Sequence, residues 1–148
     1  MGMRVGVAEF LEKVSKLKKK EEKVAALQYN NSFVLRSILQ GAFDPRVKWS
    51  LPPGIPPYKP SELQDQENVL IREARRLVHF IEGGNPGLHQ MRRETLFIEL
   101  LETVAPADAV LLCNIKDKKL PFKGITTDIV KEAFPGLLPD EQAVQEVP

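Results

Sequence analysis

The spacing of apolar side chains along the chain predicts amphipathic helices. In two segments the apolar residues recur three and four positions apart, which places them on one face of a helix. The first set is Val7, Phe10, Leu11, Val14 and Leu17, and the second is Leu70, Ala74, Leu77, Val78 and Ile81. No segment shows the alternation of apolar and polar residues that is typical of a half-buried strand. The pattern therefore predicts an all-α fold.

Capping residues and helix breakers mark further helices in the first half of the chain. A short helix is expected through residues 22–27. Asn31 or Ser32 can cap a third helix, which ends before the Asp44-Pro45 pair because the residue before a proline avoids the helical region. Ser61 is the expected cap of the helix that carries the second apolar set.

A glycine-rich break separates that helix from the next one. The stretch 83–87 combines three glycines with Asn-Pro, which ends a helix sharply. A helix over residues 88–104 follows, carrying Met91, Ile98 and Leu101 on one side.

Two more helices complete the predicted fold. Pro106 suits the first turn of a helix that runs to about residue 115. Thr126 or Thr127 can cap a last short helix, which the Pro135-Gly136 pair ends. With short turns between the helices, the sequence predicts a compact multi-helix bundle.

A proline-rich segment, residues 51–62, interrupts the helical pattern. Its sequence, LPPGIPPYKPSE, holds five of the twelve prolines, and proline lacks the backbone N–H that helices and central strands require. We expect an extended, stiff crossing that packs Trp49, Ile55 and Tyr58 onto the core. A ligand for a proline-binding domain is the alternative interpretation of this segment.

Length and composition fit one helical domain. A chain of 148 residues with one cysteine can bury a core without a disulfide framework. No apolar run approaches the roughly 20 residues of a membrane helix, and charged residues appear too early for a signal peptide. We therefore expect a soluble cytoplasmic protein that does not contact a membrane. Residues 1–139 should form the domain, and residues 140–148 an acidic, disordered tail.

The distribution of charge matters more than its sum. The formal net charge is +1, and the tail carries three acids and no base, so residues 1–139 carry a net charge of +4. Six lysines crowd residues 13–23, and four crowd residues 116–123. Because phosphate contacts are local, such clusters can bind nucleic acid despite the small total charge. A solvated lysine face is the alternative.

Few residues are suited to catalysis. His79 and His89 are the only histidines, and neither has a second ligand at metal-binding spacing. Cys113 lies in an apolar stretch and should behave as a small buried hydrophobic residue. The chain also lacks a glycine-rich phosphate loop. We therefore expect no enzymatic activity, no metal site and no cofactor.

A basic loop over residues 116–124 lies directly before the last predicted helix. Its lysines are Lys116, Lys118, Lys119 and Lys123. Free backbone N–H groups and the helix dipole favour an anion at a helix start, and Gly124 lets the backbone approach a phosphate closely. Because no base-reading residues are evident, the loop is expected to contact the phosphate backbone without sequence preference.

Several short motifs occur in a fixed order along the chain. They are Leu35-Arg36, Phe43-Asp44-Pro45, Gly84-Asn85, Asp108 with Leu111-Leu112, Lys119-Leu120 with Gly124, and Phe134-Pro135-Gly136-Leu137-Leu138-Pro139. In this order they resemble the N-terminal helical DNA-binding domain of ATP-dependent DNA ligases, especially those of T-even-type bacteriophages. The resemblance covers about residues 5–139.

The sequence departs from the ligase pattern in two respects. Pro121-Phe122 and one extra residue enlarge the basic loop. The Lys-x-Asp-Gly motif of the adenylated lysine occurs nowhere, and the chain ends nine residues after the Pro-Gly-Leu-Leu-Pro signature, where a ligase continues into its catalytic domain. Ligation by this chain alone is therefore not expected.

The resemblance also implies a mode of DNA binding. The ligase domain grips the minor-groove face of duplex DNA around a nick, mostly through the backbone. Carried over by residue, the phosphate contacts are Lys116, Lys118, Lys119, Lys123, Gly124, Thr126 and Thr127, with a second contact at Gly84, Asn85, Gly87, Arg92 and Arg93. For the two arginines, ordinary exposure on a helix is the alternative.

Two functions from different classes follow from these observations. The first is a stand-alone, sequence-tolerant protein that binds double-stranded DNA, nicked or intact. The resemblance suggests that it is phage-encoded, acts in the host cytoplasm in replication, repair or DNA protection, and has a protein partner in that machinery. The alternative is a helical protein-interaction or virion-assembly factor that reuses the fold. One contiguous positive face would favour DNA, whereas lysine clusters with interleaved acids would favour a protein partner.

Overall fold

The computed structural model describes residues 6–63 and 65–139, and over these ranges it confirms the all-helical prediction. The helices are α1 (Val7–Ser15), α2 (Lys20–Tyr29), α3 (Phe33–Phe43), α4 (Val69–Glu73), α5 (Gln90–Thr103), α6 (Pro106–Ile115) and α7 (Thr127–Ala133), and a 3-10 helix (Ala74–Phe80) follows α4. In place of a strand, the described residues contain an isolated antiparallel bridge between Trp49 and Ile81. The predicted acidic tail, residues 140–148, lies outside the described residues.

Helix α6 lies at the centre of the fold. Most of its apolar side chains are buried: those of Ala109, Leu111, Leu112, Cys113 and Ile115. Val110 is the exception, since it is 51% exposed. The buried side chains pack where α6 meets α1, α3 and α5.

Three of the predicted helix starts are confirmed. The Ser32 hydroxyl accepts a hydrogen bond from the backbone N–H of Leu35 at the start of α3. Thr126 caps α7 in the same way, and Pro106 occupies the first turn of α6. Each of these signals is local, since it depends on residues within one helical turn.

The prediction of a helix beginning at Ser61 is wrong. The described residues between Ser61 and Val69 are non-helical, and Leu63 among them is 71% exposed. A short helix gains most of its stability by burying an apolar face. Residues 61–68 are mostly polar, so a capping serine there has no apolar face to support a helix.

The second apolar set also needs correction. The chain tightens into a 3-10 helix at Ala74, so residues three apart share a face. Ala74, Leu77 and Phe80 are therefore buried, whereas Val78 is 45% exposed. The sequence pattern assumed the 3.6-residue period of an α-helix, which would have placed Val78 inside.

The residues predicted to share one side of α5 differ in exposure. Leu101 is buried and Ile98 is half-buried, whereas Met91 is 74% exposed. Arg93, Phe97 and Leu100 are also buried. The ring of Phe97 packs edge-on against that of Phe80, with ring centroids 5.2 Å apart. Arg93 can lie on the buried face because its guanidinium donates to the carbonyls of His79 and Asn85.

The proline-rich segment crosses the surface in extended form, as predicted. Trp49 and Tyr58 pack against the core, and the indole N–H of Trp49 donates to the carbonyl of Gly41 at 3.0 Å. A side chain at Gly41 would collide with the Trp49 ring, which explains the glycine in α3. The prediction for Ile55 is wrong, since this side chain is 77% exposed.

Candidate nucleic-acid interface

Lys116, at the end of α6, is turned into the protein. Its side chain is 2% exposed. The ammonium donates hydrogen bonds to the carbonyl of Pro52 and to Oδ1 of Asp117, each at 2.8 Å. Because the ammonium already donates to these internal acceptors, Lys116 is not available for the predicted phosphate contact.

Lys118 is committed in the same way. Its Nζ donates to three backbone carbonyls at the C-terminal end of α3: those of Gly41, Asp44 and Val47, at 2.7, 2.7 and 3.0 Å. Burial lowers the pKa of Lys118, and the charge of Asp44 opposes that shift. All three N–H groups of the ammonium donate to these carbonyls, so Lys118 is not available for the predicted phosphate contact either.

Gly124 joins the basic loop to the turn between α1 and α2. The ammonium of Lys23 donates to the carbonyl of Gly124 at 2.8 Å. A Cβ atom at Gly124 would collide with the carbonyl oxygen of Ser15. The close backbone approach that was predicted for a phosphate is therefore made by the protein itself. Gly124 has a packing role that the sequence did not reveal.

This contact brings the two lysine-bearing segments together. Lys18 and Lys19 follow Ser15 by three and four residues, and Lys123 directly precedes Gly124. Together with Lys119, these lysines are exposed and form no side-chain hydrogen bond or ion pair with other residues that the structure describes. We call Lys18, Lys19, Lys119 and Lys123 the exposed lysine set.

Acidic side chains nevertheless lie among these lysines. Three lysines of the first cluster form surface ion pairs: Lys13 with Glu9 at 3.9 Å, Lys16 with Glu12 at 3.3 Å, and Lys20 with Glu132 at 3.3 Å. Such exposed pairs contribute little to stability, roughly 0–1 kcal/mol. They do reduce the local positive potential, so the basic surface is smaller than the lysine count predicts.

The start of α7 offers a weaker anion site than expected. The Thr126 hydroxyl accepts a hydrogen bond from the N–H of Ile129 and so acts as the helix cap. Thr127 is exposed at the first helical position. The next residue, Asp128, already places a negative charge in the first turn, where it complements the helix dipole.

The predicted second contact contains one inward and one outward arginine. Arg93 is 8% exposed and donates to the carbonyls of His79 and Asn85, at 2.8 and 2.9 Å. The amide of Asn85 in turn lies 3.0 Å from Nδ1 of His79. Arg93 and Asn85 therefore hold the turn before α5 in place. Arg92 is exposed and has no side-chain partner among the described residues, so it alone remains available for a phosphate.

The glycines of this turn have different surroundings. A side chain at Gly84 would collide with the carbonyl of Val78, so glycine is required there for packing. A side chain at Gly87 would meet no other atom within 4 Å. The turn therefore explains Gly84 without a ligand.

The structure also places the residues that were considered for catalysis. His89 caps α5 by accepting a hydrogen bond from the N–H of Met91. Cys113 is buried, and burial raises the pKa of its thiol. Among the described residues, no group of three His, Cys, Asp or Glu side chains is placed to hold a metal ion. None of the helices that the structure describes is both long enough and apolar enough to span a membrane.

Asp108 is a charged core residue whose environment the sequence analysis missed. Its carboxylate is fully buried, and Oδ1 accepts a hydrogen bond from the N–H of Ala8 at 2.8 Å. Oδ2 has no hydrogen-bond partner among the described residues. Burial raises the pKa of Asp108 to about 6; the Ala8 hydrogen bond opposes this shift, and the charges of Glu67 and Glu9 add to it. One acid within the apolar run PADAVLLC was the available signal.

A family of unknown function, DUF6433, matches residues 10–121, about three quarters of the chain. This range includes the whole first lysine cluster, residues 13–23. It ends within the basic loop, before Lys123. No curated protein matches the chain. No solved structure matches it either.

Proposed function

This chain belongs to the DUF6433 family, and we propose that it binds duplex DNA through phosphate contacts without sequence preference. The observation that carries the proposal is the packing of Gly124 against Ser15 and Lys23. That contact joins the basic loop to the α1–α2 turn, so lysines about a hundred residues apart in sequence lie on neighbouring segments.

The proposed contact is narrower than the one expected from the sequence. It comprises the exposed lysine set and Thr127, with Arg92 as a separate contact. Lys116, Lys118 and Arg93 are excluded because their donors are used inside the protein. The resemblance to the ligase DNA-binding domain supports duplex DNA, including nicked DNA, as the ligand. It also supports a phage-encoded protein that acts in replication, repair or DNA protection.

The small number of free lysines sets the expected salt dependence. Each neutralised phosphate contributes roughly −0.9 to the slope of log K against log salt concentration. With about four phosphates neutralised, affinity should fall about a hundredfold when salt increases fourfold. A steeper dependence would require basic residues beyond the exposed lysine set.

Fluorescence anisotropy tests this proposal. A labelled nicked duplex, an intact duplex and a single strand are titrated with the protein at two salt concentrations. The Lys119→Glu/Lys123→Glu variant should lose most of its duplex affinity. The matched control is Lys59→Glu/Arg72→Glu, which makes the same charge change at two exposed positions on the proline-rich segment and α4. Equal loss of affinity in both variants, or no binding by the unmodified protein at low salt, would contradict the proposal.

A protein-interaction role is the second candidate, because acids are interleaved with the lysines of the first cluster and because large apolar side chains are exposed. Tyr29 is 90% exposed and Phe33 is 51% exposed, and the guanidinium of Arg75 lies 5.8 Å from the centre of the Phe33 ring. Aromatic and arginine side chains are enriched at protein interfaces. If the unmodified protein binds no DNA in the titration above, this role takes precedence over DNA binding.

A further inference from the structure

An open cavity lies between the proline-rich segment and the middle of α5. Its volume is about 220 Å³. The walls are mainly apolar, and the side chains that form them include Leu51, Pro53, Ile55, Pro57, Phe97 and Ile98. A cavity of roughly 150 Å³ with apolar walls can hold a benzene molecule. The space here is therefore sufficient for a substituted aromatic ring.

Side-chain hydrogen bonds hold the wall formed by the proline-rich segment in place. Lys116 donates to the carbonyl of Pro52, and Oδ2 of Asp117 accepts from the N–H of Gly54 at 3.1 Å. Prolines restrict the backbone between these points. The cavity is therefore largely preformed, which reduces the entropy lost when a ligand binds.

Lys116 lines this mainly apolar space, and its side chain is 2% exposed. An ammonium carries three N–H donors, and two of those of Lys116 bind Pro52 and Asp117. These two hydrogen bonds are the ones that Nζ forms with the described residues, so its third donor has no acceptor there. A buried donor without a partner is costly, so a ligand that supplies an acceptor is stabilised there.

The charges around the cavity decide what kind of acceptor fits. Asp117 already neutralises Lys116 through their ion pair at 2.8 Å. Glu94 also lines the cavity and adds a negative charge. A carboxylate ligand would meet a net negative environment, whereas a neutral carbonyl or ether oxygen would not.

We propose that this cavity binds a neutral, mainly apolar molecule, about the size of a monosubstituted benzene, whose single oxygen accepts a hydrogen bond from Lys116. The site is independent of the proposed DNA contact, because none of its residues belongs to the exposed lysine set. It also gives the buried lysine of the basic loop a function other than binding phosphate.

Three soluble probes of similar size test the proposal by two-dimensional ¹H–¹⁵N NMR. Acetophenone is neutral and carries a carbonyl acceptor, indole is neutral and lacks a strong acceptor, and benzoate is an anion. Acetophenone should shift the amide signals of Leu51, Gly54, Ile55 and Ile98 in a saturable manner. It should bind about tenfold more tightly than indole, which is the ratio expected for one hydrogen bond to a charged donor.

Variants identify the source of that preference. Lys116→Met should bind acetophenone and indole equally. Glu94→Gln should strengthen benzoate binding relative to acetophenone, because it removes the opposing charge. Ile98→Trp should fill the cavity and abolish the shifts with all three probes. If Lys116→Met does not fold, the probe order in the unmodified protein and the Ile98→Trp result still decide. Absence of saturable shifts with acetophenone, or equal binding of acetophenone and indole to the unmodified protein, would overturn the proposal.

Discussion

The N-terminus of α1 and the C-terminus of α3 are both closed by a charged side chain from the second half of the chain. Asp108 accepts a hydrogen bond from Ala8 at the start of α1, and Lys118 donates to Gly41 and Asp44 at the end of α3. In each case the sign of the charge complements the helix dipole. The two sites differ in how completely the charged group is satisfied.

The difference follows from the number of partners that each group finds. The ammonium of Lys118 has three donors and three carbonyl acceptors. The carboxylate of Asp108 finds one N–H, and its second oxygen is buried without a described partner. A charge of the right sign at a helix end is therefore not sufficient, because an incompletely satisfied buried carboxylate offsets the gain from capping.

The largest expected effect is a dependence of stability on pH that Asp108 causes. Its pKa is about 6 in the folded protein against 3.8 for the unperturbed group. The folded state therefore binds the proton of Asp108 more tightly than the unfolded state does, so protonation of Asp108 stabilises the fold. This stabilisation is fully present below about pH 4 and is lost as pH rises through about 6. The loss should be on the order of 2–3 kcal/mol.

Urea unfolding between pH 4 and pH 7 measures this effect. The control is Asp108→Asn, which has no titrating group at this position, so the difference in stability between the two proteins isolates Asp108 from all other carboxylates. Glu9 and Glu67, the two acids whose charges act on Asp108, are unchanged in both proteins. If the difference in the free energy of unfolding between the two proteins stays constant from pH 4 to pH 7, then burial does not raise the pKa of Asp108.

The second largest effect concerns Lys118, whose three N–H donors all have carbonyl acceptors. Lys118→Met keeps most of the aliphatic stem but removes the donor shared by Gly41, Asp44 and Val47. We expect the free energy of unfolding at pH 7 to fall by about 2 kcal/mol, because water reaches this partly exposed end of α3 and replaces only part of the lost bonding. Chemical denaturation followed by circular dichroism measures the loss.

The neighbouring lysine provides the control for that variant. Lys119 is exposed and has no side-chain partner among the described residues, so Lys119→Met should change stability by less than about 0.5 kcal/mol. If the two variants lose the same stability, then Lys118 does not act as a helix cap.

The smallest effect separates the cap of α1 from its charge. Asp108→Asn removes the charge but keeps an oxygen that can accept from Ala8, whereas Asp108→Ala removes both. The alanine variant should be less stable than the asparagine variant by about 1 kcal/mol, which is typical of a lost helix cap. Thermal unfolding at pH 7 compares them. Equal stability would mean that the hydrogen bond to Ala8 contributes nothing to the start of α1.

The parts of the fold that were predictable from sequence depend on local signals. The caps Ser32 and Thr126 and the proline at the start of α6 act within one turn of their own helix. The exposure of Val78 was not predictable, because the tightening into a 3-10 helix has no marker in the sequence. The inward turn of Arg93 was equally hidden, since two of its three acceptors are backbone carbonyls, which every residue possesses, and the third is the side-chain oxygen of Gln90.

The same limitation explains the errors in the candidate site. Sequence identified a cluster of four lysines in the basic loop, but not which of them point into the protein. Lys116 is buried, and the ammonium groups of Lys116 and Lys118 donate to backbone carbonyls 64 to 77 residues away in the chain, at Pro52 and at the end of α3. Of the four lysines, Lys119 and Lys123 remain exposed without a side-chain partner among the described residues. Clustering therefore predicts where a basic surface lies, but it overestimates the charge that the surface presents.

The pairing of the first helices with the last ones has a consequence for folding during synthesis. Helix α2 packs against α7, and the hydrogen bonds from Ala8 to Asp108 and from Lys23 to Gly124 span 100 and 101 residues. Helix α2 thus packs against a helix that is translated about a hundred residues later. The surface of α2 that contacts α7 stays uncovered in a nascent chain that lacks α7, so the native packing of α2 is completed only after α7 has left the ribosome.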